Sequence, residues 1–156
     1  MRSGWYISFF IVLLTMVTAS ATPSDTLEVL VKGTGSDARF EPVILQINAG
    51  DVIKFKVMEG VHTVTAYHPA NRRPLRIPEK ADSFDSGMLT AGDTWFLKLD
   101  QVGVYDYFCL PHERMGHAGR ILAGTHRRAP NYEDNLLPKA VSNVLNKAYQ
   151  QFINHN

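Results

Sequence analysis

The sequence predicts an all-β fold of seven or eight short strands, a β-sandwich or barrel, followed by one C-terminal helix. Three observations carry this. Apolar residues alternate with polar ones between Thr26 and about Ala123, turn residues break that alternation into short runs, and after Gly124 the apolar spacing becomes helical. With 156 residues, 45% of them apolar, the chain has room for one globular domain and is too hydrophobic for intrinsic disorder.

Residues 1–21 come first and read as a leader. A short basic start with Arg2 precedes an apolar run from Trp5 to Val17 and then Ala19-Ser20-Ala21, the form of a secretory signal with Thr22 as the first mature residue. That run is too short for the roughly 20 residues a membrane span needs, so the expectation is an exported protein without an anchor, in a periplasm or outside the cell. The whole chain has 16 Lys+Arg against 15 Asp+Glu, and removing the leader takes one arginine and no acid, which balances the charge. Nucleic acid needs a concentrated basic face and is excluded as a partner.

The strands follow in order. Leu27, Val29 and Val31 face one way with Glu28 and Lys32 opposite; Val43, Leu45 and Ile47 repeat the pattern before the Ala49-Gly50-Asp51 turn. Ile53, Phe55 and Val57 alternate with lysines, and then come Val61–Tyr67, Ser86–Leu89, Trp95/Leu97/Leu99, Val104–Cys109 and Arg120–Ala123. Such a succession favours antiparallel pairing. Pro69 to Asp85, with Arg72, Arg73, Arg76 and Lys80 among three prolines, reads as a solvated surface loop. Residues 22–124 thus form the main domain, and 125–156 a helical extension packed on it. In that extension Leu137, Val141, Val144, Leu145, Ala148 and Phe152 form one stripe, Pro138 lies in the first turn and Asn135 is the expected cap.

One cysteine cannot make an intramolecular disulfide, and an unpaired cysteine in an exported chain is an intermolecular link, a reactive thiol or a metal thiolate. Cys109 closes a strand that also carries Tyr105 and Tyr107, both expected in the core. Pro111 then turns the chain so that His112 reaches the same point in space. His62, in Gly-Val-His-Thr-Val, lies on a distant strand. Two imidazoles, one thiolate and a weak fourth donor are the ligand set of a mononuclear electron-transfer copper site. His68, on the same strand parity but six residues on, is about 20 Å away at strand rise and is not expected to join. No oxyanion element or Gly-rich approach accompanies Cys109, so a Cys–His nucleophile is disfavoured and the expectation is a carrier rather than an enzyme.

These residues resemble the cupredoxin family, and within it the pseudoazurin-like and plastocyanin-like proteins. The likeness spans nearly the whole chain after the leader: Phe40-Glu-Pro, Gly50-Asp51, Phe84-Asp-Ser-Gly87, the Gly103-x-Tyr-x-Tyr-x-Cys109-x-Pro-His112 run and the helical tail. It implies a Greek-key sandwich with one copper ion (Cu2+/Cu+) near one end, shuttling single electrons between larger redox proteins. By position it makes His62, Cys109 and His112 the three strong ligands. The fourth is open. The pseudoazurin-like loop places its axial residue eight after the cysteine, at His117, between the two glycines of Met115-Gly-His117-Ala-Gly119, whereas a shorter loop would use Met115. The family also has Asn directly after the first histidine, tethering the two ligand segments; Thr63 stands there, which puts the side-chain tether in doubt.

The resulting expectation is a monomer, free of membrane after leader cleavage, that docks redox proteins transiently beside His112 and Met115. Leu110, Pro111 and Met115 would form the rim, and Arg114 with the arginines at 72, 73 and 76 would steer an acidic partner. The competing reading is a copper store or delivery protein, or a zinc module using Cys109 with His62, His112 and His117.

Overall fold

In the computed structural model, which describes residues 26–125 and 132–155, eight strands form two four-stranded sheets packed on one core. The first sheet runs β2 (Arg39–Glu41), β1 (Thr26–Lys32), β4 (Val52–Val57) and β8 (Thr94–Lys98). The second runs β3 (Ile44–Ile47), β10 (Ala118–Ala123), β9 (Gly103–Phe108) and β6 (Thr65–Ala66). A two-stranded ladder of β5 (Val61–His62) and β7 (Leu89–Thr90) completes the set. The expected leader at 1–21 and the start of the C-terminal extension at 126–131 lie outside the described residues.

The alternation of the sequence is visible in the core. Val29 and Val31 of β1 and Ile53, Phe55 and Val57 of β4 point inward from the first sheet, against Tyr105, Tyr107, Ile121 and Ala123 from the second. Phe40 bridges them, edge-on to Phe55 at 6.3 Å and tilted on Tyr107 at 4.7 Å.

Antiparallel pairing holds for most ladders, but β1 pairs with β4 and β3 with β10 in parallel. The cause is the route of the chain: after β1 and β2 it crosses to the second sheet as β3, then returns as β4 beside β1 in the same direction. The expected single run Val61–Tyr67 also divides into β5 and β6. Between them the amide of Thr63 turns to the Cys109 sulfur and that of Val64 to the Ser86 hydroxyl, so neither joins a ladder.

The 69–85 segment is not simply a solvated loop. Arg76 is 1% exposed, and its Nε donates to Asp106 Oδ2 at 2.8 Å and its Nη2 to Asp134 Oδ1 at 2.9 Å. Arg73 folds back on the buried Glu113, its Nε 3.0 Å from each carboxylate oxygen. Both arginines are thereby removed from the free basic cluster expected at this end.

The helix α1 (Lys139–His155) packs its stripe on the second sheet: Val141 and Leu145 meet Phe108 and Ala118, while Tyr149 meets Ile44, Val104 and Leu122. The expected cap is displaced. Asn135 lies in a preceding 3-10 turn (Asp134–Leu136), and the Pro138 carbonyl accepts the first helical amides, from Val141 and Ser142. Among the described residues no helix is long and apolar enough to cross a membrane.

Candidate metal centre

Four side chains that sequence reasoning singled out meet at one end of the sandwich. His62 comes from the end of β5 and Cys109 follows β9 directly. His112 comes from the 3-10 turn Leu110–Met115, and His117 from the residue before β10. One donor atom from each lies within 4.8 Å of all the others. Met115, the other candidate, is 50% exposed on the surface. His68 is elsewhere: its Nδ1 accepts the Ala70 amide at 3.1 Å, capping a short turn.

The local chain explains the convergence. Pro111 starts the 3-10 turn, whose amide of His112 donates to the Cys109 carbonyl at 3.0 Å, bringing the imidazole back over the thiol. Gly116 ends that turn at φ +92°, a left-handed conformation, and a Cβ there would press on the Ala140 carbonyl of α1 at 3.1 Å. Gly119, opposite Tyr107 in the β9–β10 ladder, leaves room for the tyrosine ring, which a Cβ would overlap. The two glycines of the 115–119 string therefore have separate jobs: one permits a turn and the other a close approach.

The donors point at each other. Nδ1 of His62 lies 3.6 Å from the Cys109 Sγ, and Nδ1 of His112 lies 3.4 Å from it. Nε2 of His62 sits 2.9 Å from the Glu59 carbonyl and 3.1 Å from that of Gly33. Two acceptors there require Nε2 to carry the proton, which leaves the Nδ1 lone pair facing the sulfur. Thr63 donates its amide to the sulfur at 3.4 Å.

His117 is the most telling member. It is 0% exposed, its ring is 4.1 Å from that of Phe40, and neither ring nitrogen has a hydrogen-bond partner among the described residues. Burial, helped by the neighbouring His62 and His112, pushes its pKa down to about 3, so the ring is neutral at pH 7. Burial likewise lowers His112, with His62 adding to the effect. It raises the Cys109 thiol, against hydrogen bonds from Thr63 and His112. A neutral imidazole with two bare nitrogens is an expensive group to enclose unless something else binds it. The donor set of one sulfur and three nitrogens fits a soft-to-borderline metal ion such as copper or zinc.

Two features escaped the sequence reading. The side-chain tether at residue 63 is present after all: Thr63 Oγ1 accepts the Leu110 amide at 2.8 Å. The same oxygen lies 2.8 Å from the Thr65 hydroxyl, which donates to Asp85 Oδ1 at 3.1 Å, and no local motif marks either residue. The half-buried Arg73, paired with the buried Glu113, also braces the ligand turn from behind, with its guanidinium 5.0 Å from the Phe108 ring.

Comparison with known proteins points the same way. The family model for copper binding proteins of the plastocyanin/azurin family matches residues 27–123. Plastocyanin of Ginkgo biloba is 35% identical over 96 residues, 61% of this chain and 97% of that protein. Pseudoazurin of Methylorubrum extorquens is 30% identical over 118 residues, covering 73% of this chain and 74% of that one. The crystal structure of pseudoazurin from Methylobacterium extorquens AM1 has the same fold, with a TM-score of 0.58 at 23% identity over 82% of this chain and 99% of that one.

Proposed function

This chain belongs to the plastocyanin/azurin family of copper binding proteins, with one copper ion as its cofactor, and from that premise we propose an exported one-electron carrier serving larger redox proteins. Export rests on the leader composition of residues 1–21. The observation that carries the site assignment is the enclosure of four mutually facing donors, one of which, His117, has no other partner for either nitrogen among the described residues. His62, Cys109 and His112 are the strong ligands in this reading, and His117 is the fourth, with Met115 left to the surface.

Copper supplies a one-electron couple between Cu(II) and Cu(I). The chain supplies a soft thiolate and imidazoles that suit both oxidation states, held by the fold so that little must move when an electron arrives. His62 and His117 are closed to water, whereas His112 is partly exposed and gives the electron its way in and out. Around it Leu110 and Met115, 53% and 50% exposed, form with Pro111 an apolar rim for a brief encounter. With Arg73 and Arg76 paired internally, Arg72 and Arg114 are what remains to steer an acidic partner, so salt should affect association only weakly. His117 would hold the copper with an imidazole, a harder donor than a thioether, which would favour Cu(II) and lower the potential.

Spectroscopy tests this directly. The Cu(II) protein is expected to show an intense thiolate-to-copper absorption in the visible that ascorbate bleaches reversibly; a colourless copper-loaded protein overturns the carrier reading. EPR of the wild type, Met115→Ala and His117→Ala should show altered copper hyperfine splitting in the His117 variant alone. A change confined to the Met115 variant overturns the axial assignment. The same set of one cysteine and three histidines would also hold zinc, and metal analysis of protein expressed with both ions available separates the two.

A further inference from the structure

We propose that Thr63, Thr65 and Asp85 form a directed hydroxyl relay that positions the Cys109–His112 turn against His62, with Asp85 setting its direction from outside the metal centre. This rests on reading that centre as the metal site.

The relay is short and its polarity is fixed by its ends. Asp85 Oδ1 is an acceptor, taking the Thr65 hydroxyl at 3.1 Å and the Gly87 amide at 3.1 Å. The Thr65 proton is thereby committed, so at 2.8 Å its oxygen can only accept from the Thr63 hydroxyl. With its own proton spent on Thr65, Thr63 Oγ1 presents lone pairs to the Leu110 amide, 2.8 Å away. With the Thr65 proton on Asp85, an N–H at one end and a carboxylate at the other orient the chain of hydroxyls, and the Cys109 sulfur is a competing acceptor beside the Thr63 side chain.

The placement gives this arrangement its effect. Thr63 and Thr65 are 2% and 3% exposed, so the bond between their hydroxyls is screened from water, while the bonds to Asp85 and to the Leu110 amide are half-buried. Thr63 adjoins His62 in sequence and holds Cys109 twice, through its amide on the sulfur and through its hydroxyl on the peptide that follows. Thr65 sits on β6, paired with Phe108 of β9, and Asp85 ends the 69–85 segment through a bridge to Thr65. Three stretches far apart in sequence are thus linked in one line to the amide that begins the ligand turn. Thr65 and Asp85 touch no metal donor and act through Thr63, which makes them positioning residues.

The test compares variants that break the relay with variants that keep it. Thr65→Val removes the hydroxyl and Thr65→Ser retains one; Asp85→Ala removes the exposed acceptor and Asp85→Asn retains an oxygen. In the diamagnetic Cu(I) protein, NMR-detected exchange of the Leu110 amide is expected to be roughly tenfold faster in Thr65→Val and Asp85→Ala, and near wild type in Thr65→Ser and Asp85→Asn. In the Cu(II) protein the thiolate absorption and copper hyperfine splitting should shift with the first pair only. Unchanged Leu110 exchange and spectra in the breaking variants overturn the proposal. So does a uniform acceleration that includes the β10 amides, which would mean a general loss of stability. If the wild type proves to hold zinc instead, the carrier reading fails while the same exchange measurement on the zinc form still decides the relay.

Discussion

The charged cluster around Asp106 and the metal centre around His117 are both buried among the described residues, and they are built on opposite rules. In the first, Asp106 accepts Arg76 Nε at 2.8 Å and Arg120 through Nε at 2.6 Å and Nη2 at 2.9 Å, and Asp134 takes the far side of Arg76. Two cations meet two carboxylates, and the rings of Tyr132 and Tyr149 cover the guanidiniums at 5.0 and 5.5 Å. In the second, His117 is equally enclosed but neither ring nitrogen has a hydrogen-bond partner among the described residues. Buried charge is tolerated only when paired, and a buried polar atom left bare costs about 1–3 kcal/mol. The satisfied cluster therefore holds the fold together, and the unsatisfied one marks where the fold is kept ready for something it does not itself contain. Strand β9 joins them: Asp106 fixes it and Cys109 follows three residues later.

The comparison is broken most completely at the sulfur. Cys109→Ser should abolish the visible thiolate absorption of the copper-loaded protein while leaving the charged cluster and the far-ultraviolet circular dichroism unchanged. Residual colour in that variant would place the soft donor elsewhere. The reciprocal change is Asp106→Ala, which strands two buried guanidiniums and should cost about 3–5 kcal/mol in urea denaturation of the metal-free protein. Copper EPR of whatever fraction folds should stay that of the wild type. A cost under about 1 kcal/mol would show that Arg76 and Arg120 find other partners or water.

The two clusters also differ in how far they could be read from the sequence. Cys109, His112 and His117 share one short stretch, so their convergence follows from a strand end, a proline and a glycine turn, and His62 is the one long-range member. The alternating runs likewise foretold the strands and their inward faces, because inward and outward residues separate by simple parity, while the choice of a two-sheet sandwich over a barrel came from the family resemblance. The charged cluster was hidden for the opposite reason. Arg76 sits among prolines and other cations in a segment that looks solvated, and its partners lie 30 and 58 residues away on elements that only tertiary packing brings together. Asp106 stands between Tyr105 and Tyr107 in strand β9, where no local pattern marks it as the acceptor of two arginines. The relay through Thr65 and Asp85 was hidden in the same way, and Thr63 looked like a lost tether because one residue type was compared and its hydrogen-bond partners were out of view.

A smaller effect sharpens the contrast through pH. The His117 ring titrates near 6.5 in an unfolded chain but at about 3 when folded. Between those values the unfolded state binds one more proton, so stability of the metal-free protein falls as pH drops through this window, by about 1.4 kcal/mol per pH unit from this group. His112, lowered in the same direction by burial and by His62, adds to this loss of stability below pH 6.5. In His117→Leu, of similar volume and with no bare nitrogens, the His117 share of that slope should vanish and the metal-free protein should gain about 1 kcal/mol at pH 7. Urea titrations of both proteins at pH 7, 5 and 4 measure it, since the carboxylates common to both cancel in the difference. Equal slopes would mean that His117 is protonated or solvated in the folded chain.

The smallest expected effect is at Met115, and its smallness is what makes it informative. Met115 and His117 are two residues apart in one loop, yet the first is half exposed and the second fully enclosed, because the left-handed turn at Gly116 sends the chain from the surface into the core. A thioether at the rim buries little area, so Met115→Ala should change stability by less than about 0.5 kcal/mol and leave the copper spectra as they are. What it should change is the encounter, since the rim loses one of its two most exposed apolar side chains beside His112: electron exchange with a redox partner or with a second copy should slow severalfold in stopped-flow measurements, with the potential unmoved. An altered potential with unaltered exchange would reverse the assignment and put the sulfur at the metal and the imidazole in a merely structural place.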